Sequence, residues 1–296
     1  MSSVFDRSPR QQSTLVDCAT VSGFGYWSGE DVQLDFRPAA ANTGITFVRG
    51  DLPGTPRIPA RVDLRDDKPL RTNLKLDSHG VEMVEHVMAA LAGLQIDNCE
   101  VWATASEMPG CDGSSLPFAK ALQKAGRQLL SAPQPRFMIS EVLRVGDNES
   151  WLEARPATQG MTVEYRLDYG PESVLTAQSA CQLVNSSTFL DTLAPARTFV
   201  LKDEADHLRS LGLGLRVTNQ DLLVFGPDGP MENHLRFSDE CARHKALDMV
   251  GDLALCGVEL VGHFIAHRSG HRLNAQLASR LRELYETTTS EHRIAS

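Results

Sequence analysis

The stretch 240-ECARHKALDMVGDLALCGVEL-260 holds an amphipathic helix that runs into a strand, and it sets the reading of the whole chain. His244, Asp248 and Asp252 recur every four residues, so on a helix they stack along one face. They lie among Ala246, Leu247, Met249, Val250 and Leu253, at the edge of an apolar stripe. A similar order of residues occurs upstream in 85-EHVMAALAGLQIDNCEV-101, again a His near the start of an apolar helix and then a short strand. The pair suggests two copies of one α+β unit.

Strands are expected at 31–38, 45–50, 95–105, 137–145 and 161–169, where residues alternate or β-formers cluster between turn signals. Helices are expected at 81–94, 118–130, 201–214 and about 274–289. The polar, proline-containing 131-SAPQPR-136 reads as a linker. It divides the chain into domain I at 14–130 and domain II at 137–285, with flexible tails at 1–13 and 286–296.

Composition narrows the function. Hydrophobic residues make up 42% and charged residues 23%, ordinary for a globular protein. The net charge of −9 argues against nucleic acid as a partner. It leaves room for an anionic small substrate at a local basic cluster. The six cysteines form no CxxC pair, the N-terminal stretch lacks a secretory core, and no apolar run reaches a membrane span. A cytoplasmic protein without stable membrane insertion is expected.

His244 and Asp248, at i and i+4, can converge on one metal ion, although many helices carry the same pair as solvated groups. His86 is the candidate third ligand, with Glu85 beside it as the base for a metal-activated water. Taken alone, His86 and Glu85 read more plainly as a core histidine and a helix-start carboxylate. In 267-HRSGHRLN-274, His271 is a candidate general acid that Asp252 could orient; a basic surface loop is the plainer reading. His79, His207, His234, His263 and His267 have no comparable context.

These pieces occur in one order: VEHVMAALAGLQIDN, EMPGCDGSSLPF, ARTF, LRFSDECARHKALDMVGDL and SGHRLN. Together they resemble the UDP-3-O-acyl-N-acetylglucosamine deacetylases, zinc amidases of lipid A biosynthesis, from about residue 14 to about 280. The resemblance implies an α+β fold of two similar domains, each a sheet on two helices, stacked as a β-α-α-β sandwich. It implies Zn2+ held by His86, His244 and Asp248, with Fe2+ as the alternative in the cell. Glu85 is then the general base and His271 the general acid. Asp252 pairs with His271, and Thr198 stabilises the oxyanion. Phe199 meets the sugar, Lys245 the diphosphate, and Asp112 supports the site. The partner implied is UDP-3-O-acyl-N-acetylglucosamine, bound by a monomer.

Two stretches depart from the family pattern. In 23-GFGYWSG-29, Tyr26-Trp27 replaces Leu-His, which puts Trp27 at the substrate mouth. In 212-GLGLRVT-218, Arg216 and Val217 stand where small residues line the acyl passage. A guanidinium there would narrow or polarise the passage, or snorkel outward. These departures motivate an alternative, a related metal-dependent deacetylase of another N-acetylated nucleotide sugar. A non-catalytic sugar-nucleotide binder is a third reading, disfavoured because every reacting residue is present.

Overall fold

The computed structural model describes residues 9–294. Among them, two mixed sheets enclose two layers of helices, the β-α-α-β sandwich that the family resemblance implies. In the first sheet the neighbour order is Ala19–Phe24, Asp31–Pro38, Cys99–Ala103, Ile45–Arg49 and Arg57–Pro59. Ile45–Arg49 runs parallel to Cys99–Ala103, and the other pairs are antiparallel. The second sheet runs Leu143–Gly146, Trp151–Arg155, Glu259–His267, Met161–Leu167 and Gln178–Val184. It too has a parallel pair near its centre, Met161–Leu167 with Glu259–His267, and Arg136–Met138 adds alongside Glu259–His267. The alternation is clear in Asp31–Pro38, where Val32, Leu34 and Phe36 are buried and the residues between them face outward.

The helices are α1 (Glu85–Gly93), α2 (Leu116–Ala125), α3 (Ser186–Thr188, one capped turn), α4 (Lys202–Ser210), α5 (Glu240–Ala254) and α6 (His271–Ile294). α1 and α2 cover the first sheet, α5 and α6 the second, and α1 packs directly on α5. α1 is buried on nearly every side, so it needs no polar face. Its contact with α5 depends on Gly251. A Cβ there would lie 2.1 Å from the Glu85 carbonyl oxygen and 3.1 Å from the Ala89 nitrogen. Both atoms are backbone and cannot rotate away. Gly251→Ala is therefore expected to force the helices apart, at a cost of about 1–3 kcal/mol, the usual range for overpacking. A urea midpoint equal to wild type would show that the interface absorbs a methyl group.

Several expected boundaries shift. The expected helix at 118–130 ends at Ala125, and Arg127–Pro133 forms a strand antiparallel to Gln11–Leu15. Pairing absorbs the first half of the expected linker and places residues 11–13 of the expected tail in a strand. The final helix begins at His271 and reaches Ile294, through most of the other tail. The rest of those tails, 1–8 and 295–296, lies outside the described residues. Among the described residues no helix is long and apolar enough to cross a membrane.

Candidate active site

The opening face of α5 meets the first turn of α1 at the centre of the sandwich. His86, His244 and Asp248 are all buried, and their ligand atoms lie within 4.8 Å of one another. Asp248 Oδ1 is 3.7 Å from His86 Nε2 and 3.4 Å from His244 Nε2. Those separations are long for hydrogen bonds. They suit donors around one tetrahedral ion, whose bonds of about 2.0–2.1 Å place ligand atoms roughly 3.4 Å apart. Asp248 Oδ1 is buried with no hydrogen-bond partner, as is His86 Nδ1. A buried carboxylate oxygen facing two imidazole nitrogens without a proton between them fits a cation.

The electrostatics agree. Burial pushes the His86 pKa down to about 3, with the neighbouring His244 adding to the effect, and burial lowers His244 as well. Both imidazoles are thus neutral, with a lone pair for a metal. His244 Nδ1 donates to the Ala196 carbonyl at 3.1 Å, which leaves Nε2 as the ligand atom. Burial alone would raise Asp248, but its surroundings, the charged Lys245 at 3.1 Å among them, outweigh it and hold the carboxylate well below its ordinary pKa.

Glu85 and His271 flank this trio. Glu85 is buried, and its Oε2 accepts the Thr72 backbone N–H at 3.0 Å. Burial raises its pKa to about 7 against the opposing charge of His271. His271 Nε2 stands 3.9 Å from both Glu85 Oε1 and Asp248 Oδ2. Its Nδ1 donates to Asp252 Oδ2 at 2.8 Å. Burial favours neutral imidazole, but Asp252 and then Glu85 prevail and lift the pKa to about 9. His271 is the first residue of α6 rather than part of a loop, and a helix N-terminus disfavours a cation there. The Asp252 ion pair overrides that effect.

Asp252 is itself held from several sides. Thr72 Oγ1 donates to its Oδ1 at 2.6 Å, and Asn274 Nδ2 to its Oδ2 at 2.8 Å. Neither Thr72 nor Asn274 was singled out by sequence reasoning. Asn274 closes the SGHRLN motif and could have been noticed, whereas Thr72 lies in the unremarkable run 71-RTN-73. Next to it, Asn73 Oδ1 accepts the backbone N–H of Met83, which sits at φ +60° just before Glu85. The strained turn at Met83 aims the first turn of α1.

A cavity of about 710 Å³ opens from this centre. Thr198, Phe199, Lys245 and Trp27 line it, as expected of substrate contacts. The Phe199 ring meets His244 edge-on at 6.4 Å. Lys245 Nζ is 3.1 Å from Asp248 Oδ2, and its charged form is favoured despite burial, chiefly by Asp248. Trp27 is braced by Glu107, whose carboxylate accepts the Trp27 and Ser28 N–H groups at 2.8 Å, and by Arg71 stacked 4.3 Å from its ring. Buried Glu107 is a further residue that sequence reasoning missed. Leu208, Leu213, Val217 and Val224 contribute apolar lining to the cavity. Arg65, Lys68, Arg209, Lys245, Arg268 and Arg272 contribute basic groups, on a protein of net charge −9.

Two residues expected at the site, Arg216 and Asp112, stand outside the cavity lining. Arg216 turns away from the passage. It bonds Asp31 at 2.6 Å and the Gly29 carbonyl at 3.0 Å, and stacks 4.2 Å from the Phe24 ring. A half-exposed ion pair spares the guanidinium the cost of entering an apolar channel. Asp112 also stands outside the cavity lining. It accepts Ser114 N–H and O–H on one oxygen and Arg236 at 2.8 Å on the other, so it ties the 111–114 turn to the segment before α5.

Comparison with known proteins agrees with this geometry. A family model described as "UDP-3-O-acyl N-acetylglycosamine deacetylase" matches residues 12–283. The UDP-3-O-acyl-N-acetylglucosamine deacetylase of Thermosynechococcus vestitus is 40% identical over 269 residues, covering 90% of this chain and 92% of the relative. The protein of the same name from Pseudoalteromonas atlantica is 37% identical, covering 92% and 90%. That of Actinobacillus succinogenes is 36% identical, covering 95% and 94%.

Proposed function

Since the chain belongs to the UDP-3-O-acyl N-acetylglycosamine deacetylase family, we propose that it hydrolyses the acetamide of UDP-3-O-acyl-N-acetylglucosamine and releases acetate, a step of lipid A biosynthesis. The observation that carries this reading is one buried centre holding a metal-ligand trio, a carboxylate of raised pKa and an imidazole of raised pKa. Zn2+ fits the two neutral imidazoles and the carboxylate, with Fe2+ the alternative in the cell. In this proposal the enzyme acts in the cytoplasm as a monomer.

A divalent cation on His86, His244 and Asp248 would supply Lewis acidity toward the acetyl carbonyl. The protein's own groups handle the protons. Glu85 takes a proton from the attacking water, a role suited to a carboxylate titrating near neutrality. His271, protonated at neutral pH, offers its Nε2–H to the developing charge and then to the departing amine. Asp252 fixes the ring through Nδ1, so Nε2 keeps facing the site. The Thr198 hydroxyl on the wall supplies a further donor to the oxyanion. The apolar lining residues take the acyl chain, and cationic ones take the diphosphate. Because Arg216 is spent on Asp31, it adds no charge of its own to the acyl passage.

The direct test is acetate release from UDP-3-O-(3-hydroxyacyl)-N-acetylglucosamine by the metal-loaded chain. Chelator-sensitive release is expected. No release by fully loaded protein, with turnover of an unacylated N-acetyl nucleotide sugar instead, would overturn the substrate assignment.

The proton roles predict a bell-shaped pH profile. Glu85 must be ionised, so activity falls as pH drops through its pKa, about 7 without a cation and lower beside one. His271 must be protonated, so activity falls as pH rises through about 9. Asp252→Asn removes the charge that holds His271 up. Its alkaline limb is expected to move to lower pH by about 1–3 units, the usual effect of an adjacent opposite charge. An alkaline limb unmoved in that variant would exclude His271 as the acid.

A further inference from the structure

The outer face of the second sheet carries a cluster that the deacetylase reading does not use. Glu164 pairs directly across the ladder with Cys181, and His263, opposite Thr162, lies diagonally next to Glu164. The candidate ligand atoms of Glu164, Cys181 and His263 all lie within 4.8 Å of one another. His263 Nε2 is buried and forms no hydrogen bond, although it stands 3.1 Å from Glu164 Oε2. Glu164 Oε1 is taken by Arg166 Nε at 2.7 Å, so Oε2 is the oxygen turned toward the cluster. On the neighbouring strand, Arg155 is opposite His263 but spends its charge on Glu153.

We propose that Glu164, Cys181 and His263 form a second, surface site for a zinc-like divalent transition ion. One imidazole, one thiolate and one carboxylate are the ligand types zinc prefers, and they exclude the oxygen-only preferences of calcium and magnesium. Zinc with such ligands needs donor atoms roughly 3.3–3.8 Å apart. The exposed Cys181 closes the remaining distance by rotating its side chain. Burial and the Glu164 charge raise the thiol pKa, so the thiol is protonated before the ion arrives. Binding forms the metal–sulfur bond and releases the thiol proton to solvent. The fourth position faces water. The ion clamps three adjacent strands with Met161–Leu167 in the middle, and one flanking strand, Glu259–His267, leads into Ser269-Gly270-His271.

Sulfur separates this site from the catalytic one, because His86, His244 and Asp248 offer only nitrogen and oxygen. Titrating the metal-free full chain with cobalt(II) is expected to give a thiolate-to-cobalt charge-transfer band for one ion per chain. Cys181→Ser should abolish the band while leaving turnover at the wild-type rate, and His263→Gln should weaken binding. In parallel, zinc should slow alkylation of Cys181 but not of exposed Cys18, read by peptide mass. A saturating cobalt titration without a sulfur band, or the same band in Cys181→Ser, overturns the proposal. So does alkylation of Cys181 at one rate with and without zinc.

Discussion

Replacing Glu85 by Gln is expected to leave the metal in place and lower turnover by about 10²–10⁴-fold, the range for losing a positioned general base. The substitution keeps shape and volume, and the Thr72 N–H that now meets Oε2 at 3.0 Å still finds an oxygen. Burial already disfavours the Glu85 charge enough to raise its pKa to about 7, so a neutral amide costs the fold nothing there. Glu85 is not one of the three residues whose ligand atoms converge, so metal content should match wild type. The residual activity should lose its acidic limb. Its alkaline limb should move to lower pH, because Glu85 is one of the charges that raise His271. Normal turnover in the variant would place the base elsewhere. Loss of the metal would make Glu85 a ligand rather than a base.

Much of this arrangement was legible in the chain, for reasons that differ by residue. The i, i+4 spacing of His244, Asp248 and Asp252 is a property of one helix, so it survives without knowledge of the fold. Asp31–Pro38 was legible because alternation is local. The link between His86 and the α5 pair was carried only by the joint order of motifs, since either half reads alone as a core helix. What escaped depends on distant chain. Thr72 reaches Asp252 across 180 residues and Arg216 reaches Asp31 across 185, and no periodicity encodes such pairings. Arg127–Pro133 looked like the end of a helix and a linker because its strand partner, Gln11–Leu15, lies at the other end of the domain. Nothing in the sequence singles out Gly251. Its meaning appears only when the α1 backbone arrives at 2.1 Å from its missing Cβ. Met83 carries a left-handed backbone that nothing in its side chain announces.

His244→Ala should separate binding from folding. His244 Nε2 is one of two imidazole nitrogens facing Asp248 Oδ1, so its loss leaves two ligands of three and one equivalent of tightly bound metal should disappear. Lewis-acid stabilisation is worth several kcal/mol, so turnover should fall by on the order of 10³-fold or more. The fold should persist. Asp248 keeps its Lys245 partner at 3.1 Å, which prevents the large penalty of an uncompensated buried charge. Linkage supplies the sharper readout. Metal that binds only the folded state stabilises it in proportion to its affinity, so adding one equivalent of zinc to metal-free wild type should raise the unfolding midpoint. In a Cys181→Ser background, which removes the surface site, the same addition to His244→Ala should move the midpoint little, while its far-ultraviolet circular dichroism matches wild type. A variant that keeps the zinc-dependent shift, or that turns over at the wild-type rate, would remove His244 from the metal centre. With it would go the account of why an imidazole and two carboxylates stack along one apolar helix.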